Sequence, residues 1–293
     1  MHRESHTQGV KSLLIAITIT ISFFVLELIG ATLTNSLTLL TDAWHMLNDV
    51  IALFFALAAA WFARRPATAQ RTYGYYRAEI LAGFLNGVFL WAIVIYIFIE
   101  AFNRFQQPVE VQSLGMLVIA FLGLGANGLS ALVLSRSRTG SMNVKGAFQH
   151  VMADTLGSVG TISAGIIMYF TGWYQADPII SVLIGILIFY SSGKLIRDSV
   201  NVLLEGAPSH IDVENLEQRL MEIEGVKAIH DLHVWCISTQ KLCCMSAHIV
   251  MKEGTDRKKL TSKLITVLKT EFEIDHPTLQ IETEGYPKAE SEH

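Results

Sequence analysis

SLTLLTDAWHMLND, residues 36–49, sets His45 and Asp49 four positions apart inside a strongly apolar stretch. HVMAD, residues 150–154, repeats that spacing with His150 and Asp154. Helical positions i and i+4 share a face, so each pair presents an imidazole beside a carboxylate. Two such faces meeting in a membrane would offer two nitrogens and two carboxylate oxygens, a tetrahedral set suited to Zn²⁺. A lone intramembrane histidine could be a packing residue hydrogen-bonded to a neighbouring helix. Two matching pairs are harder to explain that way, because each brings a potential charge into an apolar setting, which is costly and marks a functional site. The spacing therefore points to a metal ion passing through a membrane. Asp42 shares the direction of His45 and Asp49 and admits three readings: an acceptor orienting His45, a relay group, or a polar packing residue.

The flanking sequence is suited to lipid. Over 293 residues the chain is 51% hydrophobic with a mean hydropathy of +0.41, too apolar for an ordinary soluble protein. Six stretches reach the ~20 residues that a bilayer crossing needs: Ser12–Leu33, Thr38–Phe62, Ala78–Asn103, Gln112–Leu134, Gly146–Phe170 and Pro178–Ile196. They predict a six-helix transmembrane domain over residues 1–207. The first stretch has no small-residue cleavage site and further spans follow, so it does not read as a signal peptide. Small-residue runs at Gly157–Gly165 and Ala82–Gly87 suit close helix packing. Glu27, Glu79 and Glu100 are further acids that are either on a proton path or interfacial.

Charge distribution orients these spans. From Pro208 onward there are fifteen Asp/Glu and ten Lys/Arg, which leaves the membrane part twelve basic residues. Eleven of these fall at one set of helix ends: Arg3, Lys11, Arg64, Arg65, Arg71, Arg77, Arg136, Arg138, Lys145, Lys194 and Arg197. Only Arg104 falls at the other. The positive-inside rule then places both termini, and everything after Pro208, in the cytoplasm. The short loops favour a bacterial inner membrane. Basic nucleic-acid patches and phosphate-binding glycine loops are absent from the sequence, so no nucleic-acid partner is expected. The three cysteines, Cys236, Cys243 and Cys244, lack C-x-x-C spacing and are expected to be reduced, partly buried side chains in a reducing compartment.

Residues 208–285 read as a small soluble domain. Val213, Leu216, Leu220 and Ile223 give Asp212–Glu224 helical spacing, and Leu260, Leu264, Val267 and Leu268 do the same for Asp256–Phe272. Ala228–Ser238 and Leu242–Met251 alternate as strands about a turn at Thr239–Lys241, and Thr278–Glu282 is a last short strand. The order αββαβ predicts an α+β domain with helices on one face of a sheet. Residues 286–293 are expected to be a disordered tail. Strict alternation puts His230 on the same side as Leu232 and Val234, with His233 on the other. His230, His248 and Glu282 could converge on a Zn²⁺, although isolated strand histidines are also common surface residues. His276 lies six residues before Glu282.

SLTLLTDAWHMLND, RTYGYYRAEILAGFLNG, HVMADTLGSVG, ADPIISVLIGILI, LLEGAP, HDLHVW and HPTLQIE together resemble the cation diffusion facilitator family, the bacterial zinc exporters and vertebrate zinc transporters above all. The resemblance runs from about Lys11 to Glu284. It implies a metallochaperone-like cytoplasmic domain, a homodimer, and exchange of cytosolic Zn²⁺ for protons. It further implies that His45, Asp49, His150 and Asp154 form the transport site, histidine at the first position being the zinc-preferring variant. His230, His248 and Glu282 match a cytoplasmic metal site, so Zn²⁺ is expected both as cargo and as a regulatory ion. Two departures matter. The link Ser135–Lys145 lacks the histidine-rich loop of many relatives, and Ala63–Arg77 contains no His, Asp, Glu or Cys to bind metal.

Two other classes compete with transport. A membrane zinc hydrolase needs an open metal position and a nearby acid/base. Here there is no H-E-x-x-H and four protein ligands would close the shell, so no enzyme is expected. A membrane-tethered metal sensor would use only the cytoplasmic cluster. Metal and protons compete for the same carboxylates and imidazoles, which is sufficient chemistry for exchange.

Overall fold

The structure, a computed structural model, describes residues 18, 21–63, 65–136, 142–238 and 242–283. The beginning of the first expected span, the middle of the Ser135–Lys145 link, the turn at Thr239–Lys241 and the tail after Gly285 lie outside the described residues. So does the side chain of His150. The chain divides into two compact units, one of residues 1–54 and 86–194, the other of residues 55–85 and 195–293.

Among the described residues six helices come first: α1 (Ile21–Thr34), α2 (Leu37–Ala63), α3 (Arg77–Gln106), α4 (Ser113–Arg136), α5 (Met142–Thr171) and α6 (Ala176–Leu203). Of these, α3 and α6 are long and apolar enough to cross a bilayer by length and composition; α1 and Ser113–Leu129 within α4 are shorter apolar helices. Local chemistry sets the breaks between them. Asn35 adopts a left-handed φ of 57° and ends α1, a conformation that asparagine tolerates better than most residues. Ser36 then caps α2, its hydroxyl accepting from the Leu39 amide at 3.2 Å. Gly172, at φ 67°, stops α5.

In the first unit Ala31, Leu39, Met116, Ala164 and Met168 pack together from α1, α2, α4 and α5, while Leu90, Val94 and Ile188 join α3 to α6. The small-residue run of α5 lies where neighbours come close. A Cβ on Gly165 would sit 2.8 Å from Leu117, and one on Gly157 would sit 3.3 Å from Asp42 Oδ1. Large apolar side chains also cover the outside of these helices: Phe170 is 79% exposed, Tyr190 81% and Leu156 70%. So broad an apolar surface is unsuited to water and suited to lipid.

In the second unit, Asp212 caps α7 (Val213–Met221) by accepting from the Glu214 and Asn215 amides. Asp256 caps α8 (Arg257–Glu271) in the same way. Between and after them run β1 (Val226–Cys236), β2 (Cys243–Met251) and β3 (His276–Glu282). The sheet order is β1-β2-β3, with β2 antiparallel to β1 and parallel to β3. Leu216, Leu220, Leu264 and Leu268 pack on Val234, Met245, Ala247 and Ile249 to form the core.

Two expectations are corrected here. Cys236 and Cys243 are not free thiols: they sit directly opposite each other at the ends of β1 and β2 and are joined as a disulfide. Cys244 is free and buried. Nor does β1 alternate strictly. His230 pairs with His248, but His233 pairs with Ser246, so three steps on β1 match two on β2. This is a bulge, carried by Asp231 at a left-handed φ of 50°. It returns His233 to the same sheet face as His230.

Candidate metal centres

The first cluster lies in the helical unit. His45 and Asp49 occupy successive turns of α2, and His45 Nδ1 lies 3.1 Å from Asp49 Oδ2. Asp154 of α5 reaches across, with Oδ1 4.0 Å from the same nitrogen. Ligand atoms of His45, Asp49 and Asp154 all fall within 4.8 Å of one another, the spacing of groups that could hold one metal ion. Asp154 is buried, and Asp49 and His45 are partly so. His150 stands one turn before Asp154 in α5.

A second layer of acids backs this cluster. Asp42 is buried one turn before His45, facing Gly157 of α5. Glu27 of α1 is buried too, and its Oε2 has no hydrogen-bond partner.

The start of α2 is held by a residue that the spacing argument does not find. Asp177, at the beginning of α6 and fully buried, accepts from the Leu37 amide at 2.6 Å and the Thr38 amide at 3.1 Å. It also accepts from the hydroxyls of Thr38 at 2.7 Å and Ser36 at 2.8 Å. A carboxylate at a helix N-terminus completes the orphan amides and complements the helix dipole. Arg104, the single basic residue at that set of ends, places Nη1 4.0 Å from Asp177 and donates through Nε to Glu100 at 2.8 Å. Glu100 is thereby an ion-pair partner of Arg104.

The second cluster sits on the sheet face away from α7 and α8. His230 Nε2 lies 3.1 Å from Glu282 Oε2, and His248 Nδ1 lies 2.8 Å from Glu282 Oε1. Asp231, lifted by the bulge, lies 3.3 Å from His230 Nδ1 and 4.0 Å from His248 Nδ1. Sequence alternation did not mark Asp231, since the bulge that aims it is invisible in a two-residue period. Burial would raise the Glu282 carboxyl, but the Gln280 amide and the His230 and His248 imidazoles outweigh it and hold Glu282 below the ordinary value. His276 pairs with Cys244 at the far end of the ladder, away from this group.

Set beside known proteins, this chain carries two family domains. The cation efflux transmembrane domain matches residues 13–204, and the cytoplasmic domain of cation efflux proteins matches residues 208–284. The chain belongs to the cation efflux family, and metal efflux across a membrane is its class of activity. The metal cation efflux system protein CzcD of Cupriavidus metallidurans is 42% identical over 283 residues, 96% of this chain and 89% of the relative. The zinc transporter ZitB of Escherichia coli is 40% identical over 290 residues, 96% and 92% of the two chains. A protein of Bacillus subtilis named cadmium, cobalt and zinc/H(+)-K(+) antiporter is 40% identical over 292 residues, 97% and 93%. A solved structure of the metal-bound C-terminal domain of CzcD is 29% identical, covers 25% of this chain and 99% of that domain, and has a TM-score of 0.23. The family resemblance read from the seven sequence segments is borne out.

Proposed function

We propose that the protein is a zinc efflux transporter that exchanges cytosolic Zn²⁺ for protons by alternating access. The observation that carries this reading is the approach of His45 and Asp49 of α2 to Asp154 of α5. With His150 as the fourth group, these residues supply an N₂O₂ shell for the ion in transit. Asp49 and Asp154 contribute two negative charges, which bound Zn²⁺ neutralises. When the ion leaves, two carboxylates in an apolar setting favour proton uptake, so one site serves both cargoes in turn.

The six spans, inner-membrane location and cytoplasmic termini rest on hydropathy and the positive-inside pattern. The matched cytoplasmic domain supports a homodimer. In that domain His230, His248 and Glu282, with Asp231, hold a regulatory Zn²⁺; the donor set of two imidazoles and two carboxylates fits the ion. Zinc uptake into proteoliposomes under an imposed pH gradient tests the reading. Native protein should show gradient-dependent flux, and Asp49→Ala should lose it while remaining folded. Undiminished flux in Asp49→Ala would remove the site.

A further inference from the structure

One cluster of metal-binding atoms belongs to neither centre. Cys236 ends β1 and Cys243 opens β2; they face each other across the ladder with Cα atoms 4.0 Å apart, both buried against the helix-covered side. His210 lies in the segment leading into α7 and is exposed. Its imidazole and the two sulfurs lie within 4.8 Å of one another. A tetrahedral ion with bonds of about 2.3 Å to sulfur and about 2.0 Å to nitrogen separates its ligand atoms by roughly 3.3–3.9 Å. Side-chain rotation is enough to reach that spacing, so the strands need not move.

As a disulfide the pair has no thiolate to offer a metal. As a dithiol it offers two, and two thiolates with one imidazole suit a thiophilic divalent cation. Cys244 lies on the opposite face of β2, where burial pushes its thiol up, so it stays protonated and outside the group.

We propose that Cys236, Cys243 and His210 form a redox-gated S₂N site for Cd²⁺ or Zn²⁺, closed as the disulfide and opened by reduction. An incoming dithiol gives two electrons and two protons to the Cys236–Cys243 bond and itself becomes a disulfide. The cation then binds both sulfurs as their two protons pass to solvent, His210 adds a nitrogen lone pair, and water fills the fourth position. Trp235 and Ile237, the chain neighbours of Cys236, line a cavity of about 370 Å³ with Tyr73, Arg77 and Glu205. Occupancy is therefore positioned to be felt at the link between α2 and α3, where Arg77 donates to Glu205 at 2.8 Å.

The full-length protein in detergent, reduced with a phosphine and freed of reductant without air, is titrated with Cd²⁺ while thiolate-to-cadmium charge-transfer absorbance is followed. The transport centre and the sheet cluster contain no sulfur and give no such band. The reduced protein should expose its pair to thiol reagents and develop the band up to about one Cd²⁺ per chain, while the disulfide form should give none. His210→Ala, at an exposed position that threatens no core packing, should weaken binding by at least about tenfold. Cys244→Ala should leave the band intact. A reduced protein with free thiols and no band, a band indifferent to His210→Ala, or a band lost in Cys244→Ala would each overturn the assignment. A pair that resists reduction in the folded protein would do the same.

Discussion

Replacing Asp177 by alanine leaves four donors at the start of α2 without their acceptor: the Leu37 and Thr38 amides and the Ser36 and Thr38 hydroxyls. A hydrogen bond to a charged acceptor is worth about 1.5–3 kcal/mol, but the lost charge also no longer has to be desolvated. Breaking a buried pair by removing one partner costs about 3–5 kcal/mol overall, so about 4 kcal/mol is the reasoned figure for Asp177→Ala. At roughly 2–4 °C per kcal/mol, that is about a 10 °C fall in apparent Tm. Asp177→Asn keeps one acceptor oxygen but turns an amide N–H₂ toward donors, and should recover no more than about half of the loss. Thermal unfolding of the purified proteins in one detergent reads both values. Zinc flux should fall in the same order, because α2 carries His45 and Asp49. An Asp177→Ala protein unfolding within about 2 °C of the parent would refute the reasoning that this carboxylate anchors α2.

Three further outcomes are expected. Gly157→Val places branched carbons against Asp42, whose Oδ1 would already lie 3.3 Å from a Cβ there, and should slow zinc flux while leaving cytoplasmic zinc binding unchanged; normal flux would count against close α2–α5 approach. Asp231→Asn keeps a residue that tolerates φ 50° and should weaken only cytoplasmic zinc binding, whereas Asp231→Val should in addition cost about 1–2 kcal/mol through backbone strain, separable by calorimetry and denaturation. Zinc binding should weaken from about pH 7.5 to about pH 5.5, because protons compete with the metal for the same imidazole and carboxylate lone pairs; equal affinity at the two pH values would contradict metal–proton competition.

How far the sequence could be read depended on range. The faces shared by His45 with Asp49 and by His150 with Asp154 follow from helical spacing within five residues, and the structure carries both pairs on helices. The core of the sheet domain was legible for the same reason, since Leu216, Leu220, Leu264 and Leu268 mark the buried stripes. The gathering of His230, His248 and Glu282 could be raised from the strands but needed the ladder to bring Glu282 to within 2.8 Å of His248. Asp231 and the facing of His233 were not legible, because one extra residue in β1 reverses the alternation beyond it. Asp177 lies about 140 residues from the helix start it caps, and no local pattern connects them. The Cys236–Cys243 pairing waits on strand register in the same way; a reducing compartment and the lack of C-x-x-C spacing pointed to free thiols.

The central claim is that one intramembrane site carries zinc and protons in opposite directions. Its most direct test reverses the drive: proteoliposomes with equal pH on both sides receive an inward zinc gradient, and a trapped pH indicator reports the lumen. The account predicts that the lumen turns alkaline as zinc enters, and that Asp49→Ala and Asp154→Ala abolish both changes together. Zinc entry with no change in lumenal pH would contradict it.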